Sequence, residues 1–341
     1  MIHKLLQGGG TETHVMNLAK QLRRKGHHVG IFTSGGLWMH KVRSLGIPVH
    51  HYRFTSQALS QVIVRHAYHV IHAHDSPSLR LIEHTQIPAK KRVFMTIHGM
   101  YIDGSLIRRC LTKTSHVIVV SPALRAYVTH LGIPSSKVKL IKNGVSMTNF
   151  KVTTNQYRSA RYGIPNHMKV IGYVGRFTLQ KRLLGQRIVR ILAGISRNRR
   201  DVCVLVAGRG SQTSVRNSVR CRVLGHVDDM TAFYNSCDVI IASGRTAIEA
   251  LACGVPTIAV GTGGYMGPVL PSTWLQAVNS NFGDHVINRT NWTNAKLLND
   301  TRNLLDRSNK VNGELKVIYQ RVRLHYSDES KVRQLEQTYS T

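Results

Sequence analysis

Arg176 and Lys181 stand five positions apart in GYVGRFTLQKR, after an apolar run that ends at Gly175. A guanidinium is a planar fork and an ammonium a point charge, so the pair suits a diphosphate. With 47 lysines and arginines in the chain, such proximity also arises by chance, and the loop position is what favours a site. A second stretch, SGRTAIEALACGVPTIAVGTGG from Ser243 to Gly264, holds Glu249 in a chain with only 16 acidic residues. A helix beginning at the turn Gly244, Arg245, Thr246, Ala247 would present backbone N–H groups that lack an intrahelical partner, which makes an anion site. Glu249, expected inside the first turn, would reach a neutral group beside that anion. A carboxylate can accept hydrogen bonds from both hydroxyls of a ribose. The plain alternative is a solvated carboxylate favoured by the helix dipole. The loop VGTGG, Val260 to Gly264, would supply more exposed backbone across a crevice.

Other candidates are weaker. QGGGTETH places Gly9 and Gly10 where backbone N–H groups can approach an anion at a helix start. It is not G-x-G-x-x-G, and no acidic residue follows the second strand at the place a nicotinamide ribose needs. His98 in TIHGMY ends an expected strand and either points to a ligand or caps the strand end. In HAHD, His72 and His74 fall on one strand face, a conceivable metal pair. No third ligand is evident from the spacing, and packing is the simpler reading.

These residues sit where short apolar runs stop, so the runs must place them. HHVGIFTSGG, AYHVIHAHDSP, KKRVFMTIHGMY, SHVIVVSPAL and KVKLIKNGV read as strands, with helical patterns such as TETHVMNLAKQLRRKG between them. The pattern restarts in MKVIGYVGRF, DVCVLVAGRGS, CRVLGHV, CDVIIASG and VPTIAVG. Strand and helix in alternation predict parallel sheets covered on both faces, an α/β class with two doubly wound halves. In such sheets ligands sit beyond the carboxyl ends of the strands. The expected organisation is a first domain over 1–150, a second over 165–325 and a final amphipathic helix over 326–341. FKVTTNQYRSARYGIPNH, with no strong apolar period, reads as the linker. A first strand of about five residues should precede the glycine loop. Only IHKLLQ is available, so the opening strand is short or the start of the chain is missing.

The 341 residues carry a formal net charge of +31, and 19 histidines add to it in mild acid. Such a field attracts phosphorylated small molecules, anionic membrane or nucleic acid. Five scattered cysteines without a C-x-x-C pair fit reduced thiols in a cytoplasm, not a disulfide framework or a metal site. The N-terminus MIHKLLQGGG is too short and glycine-rich for a signal peptide, and no apolar run of about 18 residues predicts a membrane span. The Asn-x-Thr triplets at Asn288, Asn291 and Asn299 then read as coincidence. The expected location is the cytoplasm, with peripheral attachment to an anionic membrane face.

Taken in order, GGGTETHVMNLAKQL, DSPSL, TIHG, VSPALRAYV, IKNGV, GYVGRFTLQK, VLVAGRGS, LGHVDDMTAFYNSCDVIIAS and IEALACGVPTIA resemble the motif series of the family 4 nucleotide-sugar glycosyltransferases. The resemblance covers roughly Gly8 to Gly264. It implies the GT-B architecture, two Rossmann-like domains facing across a cleft, with the terminal helix returning to the first. It implies that Arg176 and Lys181 bind the donor diphosphate and Glu249 the donor ribose. His98 would lie near the transferred sugar, and Gly9 and Gly10 beside the donor phosphates. Two positions depart from the family. Ile241 stands eight residues before Glu249, where the family often has a further glutamate, and Pro122 stands where it usually has glutamate. Related inverting transferases acting on lipid-linked muropeptides also lack the first glutamate.

The leading expectation is a glycosyltransferase that moves a sugar from a nucleotide diphosphate sugar to a surface-polymer, lipid-linked or small-molecule acceptor. No Asp-x-Asp occurs, so fixed cations and helix N-termini would replace a metal at the leaving diphosphate, and no cofactor is expected. Retention of configuration is expected; inversion would need a base, for which His98 is the candidate. A nucleotide-sugar 2-epimerase of the same fold is the rival. It wants paired carboxylates, and the first domain offers only Glu12, Asp75, Glu83 and Asp103. A basic nucleic-acid-binding protein is the alternative from another class. With 6% aromatics and no recognition module, only non-specific binding at low salt is expected.

Overall fold

The computed structural model describes residues 1–153, 161–178, 180–285, 292–306 and 311–341. The middle of the linker, 154–160, and the asparagines of the triplets at Asn288 and Asn291 lie outside the described residues. The chain divides into two compact units, Met1–Gly144 with Asp328–Thr341, and Val145–Ser327.

The N-terminal unit holds strands β1 (Ile31–Thr33), β2 (Val49–His51), β3 (Val70–Ala73), β4 (Arg92–Ile97), β5 (His116–Val119) and β6 (Val138–Leu140). Its helices are α1 (Gly10–Arg24), α2 (Met39–Ser44), α3 (Ser56–Arg65), α4 (Ser76–His84), α5 (Gly104–Cys110) and α6 (Pro122–His130). The strands pair in parallel as β1-β2 and β3-β4-β5-β6. Ile2 bridges Phe32 on one side and Ala73 on the other, which joins the two sets. The opening strand is therefore reduced to this bridge, with Ile2 N–H donating to His72 O at 2.8 Å and His3 N–H to Phe32 O at 3.1 Å.

Alternation along the strands explains the layers. Val93, Met95, Ile97, Val117 and Val119 enter one core, while Phe94 and Ile118 enter the other. Both faces are covered, as an all-parallel sheet requires. Helix starts are set locally. Asp75 caps α4 by accepting from Ser78 N–H at 2.9 Å, and Ser121 caps α6 through Leu124 N–H at 3.1 Å, each followed by proline in the first turn.

The C-terminal unit holds β7 (Lys169–Val174), β8 (Val202–Ala207), β9 (Cys221–Gly225), β10 (Val239–Ala242), β11 (Thr257–Gly261) and β12 (Gly264–Pro268). Its helices are α7 (Gln180–Asn198), α8 (Ser211–Ser214), α9 (Met230–Asn235), α10 (Gly244–Ala252), α11 (Trp274–Asn279), α12 (Asn294–Asp306) and α13 (Val311–Tyr326). The sheet order is β12-β11-β10-β7-β8-β9, parallel except for β12. Here too the faces alternate: Ile171 and Tyr173 enter one core, Val170 and Val174 the other. VGTGG is not an open loop. It is the corner of the antiparallel β11–β12 hairpin, because Ile258, Ala259 and Val260 pair back onto Pro268, Gly267 and Tyr265.

The final helix α14 (Asp328–Ser340) belongs to the N-terminal unit. It packs Val332 and Leu335 into the same core as Val15, Leu18 and Leu22 of α1. All five cysteines are buried, and none of them forms a disulfide. Among the described residues no helix is long and apolar enough to cross a membrane.

Candidate active site

In the C-terminal unit the sequence-predicted residues gather at the carboxyl ends of β7, β8 and β10. Gly175 N–H donates to Ala207 O at 3.1 Å, and Phe177 N–H to Arg209 O at 2.9 Å, so the loops after β7 and β8 run side by side. They touch so closely that a Cβ on Gly208 would lie 1.8 Å from Gly175 O, and Gly208 sits at φ +139°. Only glycine fits there. Arg176 is exposed on this paired loop. Lys181 lies in the first turn of α7, and its ammonium donates to Asp284 Oδ1 at 2.9 Å.

Asp284 ties this lysine to the start of α10. The same Oδ1 accepts from Ser243 Oγ at 2.8 Å, and Oδ2 lies 2.5 Å from where a Cβ on Gly244 would stand. Gly244 at φ +55° is needed for that approach. Burial alone would raise the Asp284 carboxyl. The Lys181 and His285 charges, with hydrogen bonds from Lys181 and Ser243, outweigh it and hold the group below the usual aspartate range. Ser243 occupies the N-cap position of α10 but makes no side-chain cap, because its hydroxyl serves Asp284. Gly244 N–H goes to Asn281 O at 3.1 Å, and Thr246 Oγ1 donates to Ser243 O at 2.8 Å. Ala247 is wholly buried.

Glu249 is not in the first turn. With α10 beginning at Gly244 it falls in the second, buried with only 8% of its side chain exposed. Oε1 accepts from Arg245 Nε at 2.7 Å and Oε2 from Tyr234 OH at 3.1 Å. Burial, reinforced by the Glu249 charge, pushes the Tyr234 phenol far above its ordinary value and keeps it a neutral donor. The Arg245 side chain is equally buried, and its Nη2 has no hydrogen-bond partner in the structure. Sequence reading missed Asp284 and Tyr234, and treated Arg245 only as backbone. The four-residue spacing of Arg245 and Glu249 was a readable helix-pair signal.

The N-terminal candidates form a separate group. Gly9 is the extended N-cap of α1 and adds no side-chain cap, and Gly10 opens the helix on an exposed face. Gly8 at φ +84° lies against the Trp38 ring, where a Cβ would be 2.6 Å away. His98 follows β4 and His74 follows β3. Their ring centroids are 5.8 Å apart, and both face His14 of α1, at 4.9 Å from His98 and 5.7 Å from His74. The His72 ring lies 4.0 Å from that of His74, tilted by 33°, but its own nitrogens are engaged by Thr96 Oγ1 at 2.7 Å and Tyr339 OH at 2.6 Å. Of the HAHD pair only His74 joins this cluster, and the fold supplies the other two histidines, His14 and His98. A cavity of about 780 Å³ in the C-terminal unit, lined by Tyr265, Thr273, Asp300 and Glu314, contains none of the predicted site residues.

Comparison with known proteins defines the class. The model of Glycosyltransferase Family 4 matches residues 8–149, and that of Glycosyl transferases group 1 matches 168–271. Anabaena HepE, solved with UDP-glucose, superposes with a TM-score of 0.80 at 18% identity, covering 99% of this chain and 98% of that one. Fold and family matches together define a glycosyltransferase of the GT-B class. An uncharacterised glycosyltransferase of Methanocaldococcus jannaschii is 26% identical over 311 residues, spanning 76% of this chain and 78% of the relative. A phosphatidyl-myo-inositol mannosyltransferase of Mycolicibacterium smegmatis is 24% identical over 294 residues, with 74% and 72% covered. The chain belongs to the family 4 glycosyltransferases.

Proposed function

We propose that this glycosyltransferase takes its sugar from a nucleoside diphosphate sugar and retains configuration, with the C-terminal unit holding the donor. One observation carries the reading. Lys181 is tied through Asp284 to Ser243 and Gly244, so an ammonium is held at the N-terminus of a buried helix. Two positive features at one place suit a diphosphate. Arg176 supplies the fork, and Gly175 lets the loop backbone approach. Arg245, whose Nη2 is buried and unpaired, adds a donor. Glu249 takes the donor ribose and orients Arg245. In the N-terminal unit, Gly9 and Gly10 serve the donor phosphates and His98 a hydroxyl of the transferred sugar.

In the transfer the bond from the sugar anomeric carbon to the diphosphate oxygen breaks, and a bond to the acceptor oxygen forms on the same face. The acceptor proton passes to the leaving phosphate. Arg176, Lys181 and the α10 N-terminus are fixed where charge grows, so no divalent ion is required at the diphosphate.

Thermal shift with UDP, GDP and ADP tests the donor site. A nucleotide at about 100 times its Kd adds roughly 2.7 kcal/mol of stability. A shift with one of the three that weakens in Arg176→Ala is expected. No shift with any of them overturns the reading. The acceptor is read as lipid-linked or a surface polymer, supported by the net charge of +31 and by the relative that mannosylates phosphatidyl-myo-inositol. Each basic residue near an anionic leaflet contributes about 1 kcal/mol at low salt. Sedimentation with anionic but not neutral vesicles is the expected result, and equal binding to both sinks the membrane reading.

A further inference from the structure

The histidines of the N-terminal unit present a problem that the transfer reaction leaves unsolved. His74 is 1% exposed, and neither ring nitrogen has a hydrogen-bond partner. Buried polar atoms are ordinarily paired, so two unpaired nitrogens on one ring need an explanation. His14 and His98 stand on either side, and one ring nitrogen from each of the three residues lies within 4.8 Å of the other two. They come from three elements: the first turns of α1, the residue after β3 and the residue after β4. A neutral imidazole is the form that binds metal.

We propose that His14, His74 and His98 together hold one divalent transition-metal ion of the zinc, cobalt or nickel kind, each through one ring nitrogen. Three imidazoles select such ions over magnesium or calcium, which take oxygen ligands. Zinc–nitrogen bonds of about 2.0–2.1 Å put tetrahedral ligand atoms roughly 3.4 Å apart, so the rings close slightly on the ion. His14 and His98 are half-buried, which leaves the ion a side open to solvent for a fourth ligand. Asp75, next to His74, adds a negative charge at this end of the sheet. It is fixed by Lys4 N–H at 2.9 Å and Ser78 N–H at 2.9 Å, with His3 Nδ1 at 3.5 Å. An imidazole bound through one nitrogen keeps the other as a donor, so a metal-bound His98 can still meet a sugar hydroxyl. The inference can fail or hold independently of the donor reading, although His98 belongs to both, since the assay is metal binding and needs no nucleotide sugar.

The test is titration of the full-length, chelator-treated protein with cobalt(II) chloride, followed by its visible spectrum. Saturation at one equivalent is expected, with the intense bands of four-coordinate cobalt, which zinc then displaces. His14→Ala should weaken cobalt binding at least tenfold, and His74→Ala should abolish the bands. Because His74 is buried and its variant can fail to fold, the half-buried His14 on α1 is the deciding position. His84→Ala, an exposed histidine of α4, should bind as the parent does. Cobalt affinity unchanged in His14→Ala, or only the pale spectrum of six-coordinate cobalt in the parent, overturns the proposal.

Discussion

The two units handle buried polar groups in opposite ways. In the C-terminal unit, carboxylates are brought to cations: buried Glu249 to the equally buried Arg245, half-buried Asp284 to the more exposed Lys181. In the N-terminal unit, imidazoles are brought to imidazoles, and burial keeps His72 and His74 neutral. The first arrangement holds charge in place for a charged ligand, at the risk that losing one partner strands the other. The second strands no charge, and leaves lone pairs for a ligand that wants them. A basic chain can thus build an anion site and a cation site from different chemistry.

The sharpest way to break this comparison is to unpair a buried charge. Glu249→Ala leaves the Arg245 guanidinium buried without its partner, with an expected cost of about 3–5 kcal/mol. At roughly 2–4 °C per kcal/mol for a unit of this size, the melting temperature should fall visibly. His14→Ala in metal-free protein strands no charge and should cost about 1 kcal/mol. Equal losses in the two variants, measured by denaturant unfolding, would erase the distinction. Next in size are the rates. Arg176→Ala and Lys181→Ala each remove a cation where diphosphate charge grows, and turnover should fall by about 10² to 10³. The double variant should lose less than the product if the cations act as a unit. Lys181→Ala also unpairs Asp284, so its rate is read where unfolding controls show the chain intact. Full turnover in both single variants removes these residues from the site.

How far the sequence revealed all this depends on distance along the chain. Strand ends were legible, because runs such as VIGYV and VCVLVA stop at glycine, and the structure does put Arg176, Lys181 and the turn at Gly244 just beyond such ends. Glu249 stood out as an acid in a basic chain, but its depth in α10 was misjudged by one turn. Its partner Tyr234 lies on another helix, fifteen residues upstream. Asp284 was invisible: 103 residues separate it from Lys181, and only the fold brings them together. The histidines show the same limit. HAHD announced a pair on one face, yet the pair that forms the cluster is His74 with His98, completed by His14 from α1. Parallel strands align their ends across long crossovers, and no local spacing records that.

A smaller effect tests the Asp284 side of the comparison. Its folded carboxyl is held below the unfolded value, so the stabilisation is present above about pH 3.9 and is lost as pH falls through the folded value. Asp284→Asn should therefore be less stable than the parent near neutrality, and the two should converge in acid below about pH 4. Denaturant midpoints across that range check it, and a gap that stays constant into acid shows that the charge of Asp284 is not what stabilises.

The smallest effect is expected at Lys25, the exposed C-cap of α1, a position that by itself has no task. The structure gives it one: its ammonium meets Glu336 of α14, which His27 Nε2 also reaches at 2.8 Å. The pair fastens the end of α1 to the returning terminal helix. Both side chains keep contact with water, 40% exposed for Lys25 and 24% for Glu336, so screening reduces the attraction. Exposed pairs of this kind contribute about 0–1 kcal/mol. Lys25→Ala leaves Glu336 with His27, in a place where water can also solvate it, so no buried charge is stranded. The expected loss is under about 1 kcal/mol, largest at low salt, with turnover unchanged. Melting curves at low and high sodium chloride measure it. A salt-independent loss comparable to that of Glu249→Ala would mean that α14 is held mainly through this pair and not through Val332 and Leu335 in the core.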